Sequence, residues 1–162
     1  VVGGYTGTQP LNTIVEWRPG SKARVVARTP VALRYAAVAA AGDRIVIAGG
    51  SVGTAATRAV FAYEPANRAI RRIATLPKAL THSSAASLHG TVYLLGGRGP
   101  LQGTQTRRIL AIDPATGRVR KAGRLPRAVS DAGAAAVSGA ILVAGGRDAT
   151  GPRTDVTRLV SR

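Results

Sequence analysis

The 162-residue chain has no cysteine, no methionine, one tryptophan, one phenylalanine and only three lysines. Without cysteine there are no disulfides, thiolate metal sites or cysteine nucleophiles, and the redox compartment stays open. With aromatics at 4%, a core has to be built from Ala, Val, Ile and Leu. No apolar run approaches the roughly 20 residues that a membrane-spanning helix needs, so no membrane span is expected. A chain that starts at Val1-Val2 and lacks methionine reads as a fragment whose N-terminus, with any targeting segment, lies outside it. His82 and His89 are the only histidines, which excludes a three-histidine metal site. There is no H-E-x-x-H, no G-x-S-x-G and no clustered carboxylate pair. No catalytic residue, metal site or cofactor is therefore expected.

Hydrophobic residues at 45% and charged residues at 19% fit a folded chain rather than a disordered one. The net charge of +16 comes from 23 basic residues against 7 acidic. A polyanion partner is one explanation. Composition is the other: all but Lys22, Lys78 and Lys121 of the basic residues are arginine, and arginine shares G+C-rich codons with the abundant Ala, Gly and Pro. The arginines are scattered along the chain, so nucleic-acid binding is not expected. A basic module that adheres to anionic polymers stays among the functional alternatives.

The organising signal is a repeat. Double glycines stand at Gly3-Gly4, Gly49-Gly50, Gly96-Gly97 and Gly145-Gly146, at spacings of 46, 47 and 49. Pro30, Pro77 and Pro126 each precede the next pair by 19 residues. Turns built on Pro19, Pro65 and Pro114 come before those prolines in turn. Each unit reads as four short strands. A small-residue strand (Tyr35–Ala41, His82–Leu88, Asp131–Val137) leads through a tight turn to a continuously apolar one (Arg44–Ala48, Thr91–Leu95, Ala140–Ala144). A run of that kind suits a strand buried on both faces. The third is Arg58–Tyr63 or Arg107–Ile112, with counterparts at Thr13–Trp17 and Val156–Val160. The fourth, Ala69–Ala74 or Arg118–Ala122, is polar and arginine-rich, as an outer strand would be. Helices for the Ala-rich runs are rejected, because the runs are short, closed by turn glycines and without a 3.6-residue stripe. Four strands in a repeat of about 40–50 residues predict an all-β fold of β-propeller type. Ser and Ala in the first strands would let neighbouring blades approach closely. The double glycine would mark a sharp turn out of the sheet.

Strands ending in Gly-Gly, as in "IVIAGG", "VYLLGG" and "ILVAGG", give the whole chain a resemblance to the Kelch repeat family. Tyr63 matches a Tyr that many Kelch repeats carry after the glycines, whereas Trp17 and Ile112 stand at the equivalent places. The expected architecture is one segment of about three and a half four-stranded blades. Residues 1–29 supply outer strands, 30–76 and 77–125 whole blades, and 126–162 an incomplete one. That is about half a ring, so a homodimer that closes the ring is one expectation.

The resemblance also marks two repeat positions near the channel mouth as ligand contacts. One follows the double glycine: Tyr5, Ser51, Arg98 and Arg147. The other lies five residues beyond the blade-opening proline: Tyr35, His82 and Asp131, preceded by Arg34, Thr81 and Ser130. The candidate ligand-binding set is Arg34, Tyr35, His82, Arg98, Asp131 and Arg147, different in each unit on a repeating frame. Arginines can hold a carboxylate or phosphate through paired bonds. The functional expectation is a non-catalytic module that binds a protein, an acidic small ligand or a glycan through its loop face. A sugar-acid mutarotase, as part of a carbohydrate-active propeller enzyme, is the alternative. The copper chemistry of galactose-oxidase-like Kelch enzymes needs a cysteine that this chain lacks. The resemblance further implies a bacterial protein, extracytoplasmic or secreted.

Overall fold

The computed structural model describes residues 1–160, and among them there is no helix. Antiparallel strands form a series of small sheets that do not close into a barrel. The first sheet pairs β1 (Thr13–Glu16) with β2 (Arg24–Arg28), and Val2 adds a single bridge to Ile14. The second contains β3 (Ala37–Ala41), β4 (Arg44–Ala48), β7 (Ala59–Glu64) and β8 (Ala69–Thr75). Between β4 and β7 stands a short hairpin of two-residue strands, β5 (Ser51–Val52) with β6 (Ala55–Ala56). The third sheet is β9 (Ser84–Leu88), β10 (Thr91–Leu95), β11 (Arg108–Ile112) and β12 (Val119–Arg124). The fourth is β13 (Gly133–Val137), β14 (Ala140–Ala144) and β15 (Val156–Val160).

Three apolar layers lie between the four sheets. Val46, Ala48 and Val60 of the second sheet meet Val92, Leu94, Leu110 and Ile112 of the third. The opposite face of the second sheet, with Ile47, Phe61 and Tyr63, covers Ile14 of the first. Leu95 and Ile109 of the third meet Ile141 and Val143 of the fourth. A strand with a layer on each side has no solvent face, which is why β4 and β10 are apolar without alternation. The first strand of each larger sheet, β3, β9 or β13, is an edge strand, and β9 packs between the other two. Side chains there must be small for three edges to run side by side. Residues around Pro77 and Pro126 complete the layers: Leu76 and Leu80, then Leu125 and Val129, are buried between successive sheets.

The double glycines join sheet to sheet. The second glycine donates its N–H to the carbonyl of a residue in the next unit: Gly4 to Leu33 at 3.0 Å, Gly50 to Leu80 at 2.9 Å, Gly97 to Val129 at 2.8 Å. To bring that carbonyl in, the first glycine must lie flat against it. A Cβ on Gly3, Gly49 or Gly96 would overlap the oxygen of Leu33, Leu80 or Val129 respectively. The glycines therefore serve close approach between sheets as well as the turn.

Candidate functional site

A second set of links runs through the residues that stand five positions beyond each proline. Tyr35, His82 and Asp131 have φ values of 55°, 56° and 60°, a left-handed conformation that costs a residue with a Cβ of order 1 kcal/mol or more. The His82 N–H donates to the Tyr35 carbonyl at 3.0 Å, and the Asp131 N–H to the His82 carbonyl at 2.9 Å. The left-handed turns thus form a ladder across the second, third and fourth sheets. The residue before each is held in a reciprocal backbone pair with the residue after the double glycine. These pairs are Arg34 with Ser51, Thr81 with Arg98 and Ser130 with Arg147, at 2.7–3.0 Å. The two repeat positions of the sequence are neighbours in every unit.

Their side chains form one strip. The Arg34 guanidinium lies over the Tyr5 ring at 3.9 Å and the Tyr35 ring at 4.8 Å, and its Nη2 donates to the Tyr35 hydroxyl at 2.6 Å. The Tyr35 ring stacks on His82 with centroids 3.9 Å apart. Arg98 Nη2 stands 3.1 Å from His82 Nε2. A guanidinium only donates, so this contact makes Nε2 the acceptor and puts the ring proton on Nδ1. Nδ1 then donates to Thr81 Oγ1 at 3.1 Å, leaving that hydroxyl to donate to Ser51 Oγ at 2.8 Å. Asp131 Oδ1 is 3.9 Å from His82 Nε2, and its Oδ2 accepts from the Ser130 hydroxyl at 2.7 Å.

Arg98 and Arg147 hold the same repeat position but differ in kind. Arg98 is buried at 9% exposure and bonds to the carbonyls of Gly99 and Pro100, while its Nε has no partner. Among the described residues no carboxylate reaches it. Its direct partners are dipoles, and with Arg34, Arg98 and Arg147 against the one carboxylate of Asp131 the strip carries a net positive charge. Arg147 is exposed, fixed through its backbone alone. Its neighbour Asp148 is bound by Arg153 and Thr150, which hold that carboxyl well below the usual carboxylate range.

Burial pushes the His82 pKa below its ordinary value; Asp131 opposes that, and Arg98 and Arg34 reinforce it. Folded-state protonation thus lags behind the unfolded chain, which takes up a proton near 6.5. Stability is expected to fall as the pH drops below that value and to stop falling, on this account, below the folded-state pKa. Urea midpoints measured from about pH 8 to pH 5 should show this slope in the wild type and a flatter line in His82→Gln. Equal slopes would remove His82 as the cause.

The structure links five of the six candidate residues, Arg34, Tyr35, His82, Arg98 and Asp131, in one chain of contacts that runs through His82. It sets Arg147 beside them through Ser130. Tyr5, Ser51 and Thr81 join them, and nothing in the sequence marks the two hydroxyls as a linked pair. Chemically the strip offers guanidinium donors, a stacked aromatic pair and one carboxylate. Among the described residues no group of His, Asp or Glu is arranged to hold a metal ion, and no helix is long and apolar enough to cross a membrane.

No family model matches the chain, and no curated protein sequence matches it. Among solved structures, one described as "Structure of YjhT" superposes with a TM-score of 0.82 at 17% sequence identity, covering 94% of this chain and 50% of its own. At that identity the likeness is one of fold. This chain spans half the length of that structure.

Proposed function

We propose that this chain is a Kelch-type propeller segment of about three and a half blades that binds an acidic ligand, a protein segment or small acid, without catalysis. The binding face is the strip from Arg34 to Arg147. The observation that carries this reading is Arg98, a buried arginine with no carboxylate partner, held by backbone carbonyls and by a neutral His82. An anion reaching the strip finds one fixed guanidinium there and a second, at Arg147, free to turn towards it. Tyr35, half exposed and stacked on His82, offers a flat apolar surface beside them.

A titration of glucuronate and of a short glutamate-rich peptide against the chain, followed by calorimetry, tests this. Saturable binding of one of them is expected, with a loss of about tenfold or more in Arg147→Ala. Arg147 is exposed, so the fold should be unaffected. Arg71→Ala, which removes an outer-strand arginine paired with Glu64, should leave binding unchanged. Equal losses in both variants, with a steep fall in salt, would replace the proposal by adhesion to anionic polymers through scattered charge. A sugar-acid mutarotase is the second reading, and the His82–Asp131 approach at 3.9 Å favours it as an acid–base pair. Faster interconversion of glucuronate anomers by the wild type, lost in Asp131→Asn, would support it over a binding module.

A further inference from the structure

The Nε2 atom of His82 stands between two groups of opposite charge. Arg98 Nη2 donates to it at 3.1 Å, and Asp131 Oδ1 lies 3.9 Å away. The other ring nitrogen is committed: Nδ1 donates to Thr81 Oγ1, and that hydroxyl goes on to Ser51. A proton added to the ring therefore goes to Nε2. Tyr35 covers one face of the ring, and the imidazole is largely buried. Among the described residues the charged groups that act on it are Asp131, Arg98 and Arg34. They come from the turn before β13, the loop after β10 and the turn before β3.

Arg98 uses its donors unequally. Nη1 bonds to the carbonyls of Gly99 and Pro100 at 3.2 and 3.0 Å, which fixes the group in place. Nε and Nη2 together form one edge, the parallel pair of donors that grips a carboxylate side-on. On that edge Nε has no partner, and Nη2 has only the neutral imidazole. The arrangement lasts as long as Nε2 keeps its lone pair. A proton from solvent, added to that lone pair, turns Nε2 from acceptor to donor. The contact with Arg98 then becomes a repulsion between two cations, and Asp131 becomes the partner of Nε2–H. Asp131 is placed for this: the Ser130 hydroxyl occupies its Oδ2 and leaves Oδ1 facing the ring.

We propose that an anion binding on the strip takes up a proton at His82. His82 passes from Arg98 to Asp131, and the Nε–Nη2 edge of Arg98 passes to the ligand. This rests on the strip being the anion site argued above, and adds how that site is controlled. Without an anion, burial keeps the ring neutral, and the guanidinium groups of Arg98 and Arg34 reinforce it. A bound carboxylate offsets those guanidinium groups and so favours the proton. By reciprocity the proton favours the carboxylate by the same factor. Affinity for an acid should therefore rise as the pH falls through the range where the anion-bound His82 titrates. It should level off below the pKa of the free site. Composition makes the step readable. With no cysteine and two histidines, the side chains that ordinarily titrate between about pH 7.5 and 5.5 are His82 and His89 alone. His89 is exposed in the turn after β9, at the other end of that strand from His82.

The probe is glucuronate, whose carboxylate stays ionised throughout that range. Calorimetry at the two ends of the range gives its affinity, and NMR of the His82 ring carbons follows the titration with and without it. The wild type should bind about fivefold or more tightly at the lower pH, and saturation should move the His82 titration to higher pH. His82→Gln should bind equally at both ends, and His89→Gln should keep the wild-type gain. Asp131→Asn leaves the ring in place but removes the acceptor for the added proton. It should cut the gain within this range to about twofold or less. Glucuronate bound equally at both ends by the wild type, with an unmoved His82 titration, would overturn the coupling and leave the anion site standing. A gain that survives in His82→Gln would overturn His82 as the seat of the proton. No binding at either pH would overturn the strip as a site for a small acid, and the coupling with it.

Discussion

Replacing Gly96 by alanine should destabilise the chain by about 3 kcal/mol or more, read as a large fall in the urea midpoint. Two separate costs combine. Gly96 has φ of 60°, and placing a Cβ in that conformation costs about 1 kcal/mol. The added Cβ would also overlap the Val129 carbonyl oxygen and crowd Leu125 Cδ1 and Val129 Cγ1 at 3.3 Å. Val129 cannot withdraw freely, because its carbonyl accepts the Gly97 N–H at 2.8 Å, and its side chain belongs to the layer between third and fourth sheets. The chain contains its own control. Gly145 holds the same place in its unit with φ of 64°, yet its Cβ would meet only the Arg153 oxygen, at 3.4 Å. Gly145→Ala should therefore cost about 1 kcal/mol, the conformational part alone. If both variants lose the same stability, close approach between sheets is not what the first glycine of each pair provides.

That contrast shows where the sequence was informative. Spacing and apolarity located β4, β10 and β14 to the residue, because a strand buried on both faces leaves an uninterrupted signal. The small-residue strands were expected from Tyr35, His82 and Asp131 but begin two residues later, at Ala37, Ser84 and Gly133. The delay comes from the left-handed residues at Tyr35, His82 and Asp131. Gly or Asn would have announced such a conformation; Tyr does not, and His and Asp do so only weakly. The prolines were visible as markers, but the residues flanking them, Leu76 and Leu80 or Leu125 and Val129, carry the packing. The site was legible as positions and not as chemistry. Arg98 and Arg147 look alike in the chain. Only the carbonyls of Gly99 and Pro100, set by the loop back to Gln105, distinguish a buried cation from an exposed one.

The opening residue of the small-residue strands carries the second large effect: Ser84→Leu should cost about 3 kcal/mol or more. In the three larger sheets that position is Ala37, Ser84 or Gly133, never larger than Ser. Ser84 is 8% exposed and its hydroxyl donates to the Ala132 carbonyl of the next unit. Leucine would remove that bond, leaving a half-buried acceptor unpaired at about 1 kcal/mol or more. It would also push three extra carbons between β9 and β13, where overpacking costs about 1–3 kcal/mol more. Ser84→Ala separates the two, since it loses the bond and leaves the volume open, and should show the first cost alone. Because β9 lies between β3 and β13, a displaced β9 also disturbs the rungs from Tyr35 to His82 and from His82 to Asp131. Ser84→Leu should accordingly speed hydrogen exchange at the His82 and Asp131 amides beyond what its global stability explains. Ser84→Ala should speed it only in proportion. Leucine tolerated at Ser84 with normal exchange at both amides would mean that the edge strands are loosely packed, and that the Ala and Ser runs are a matter of composition after all.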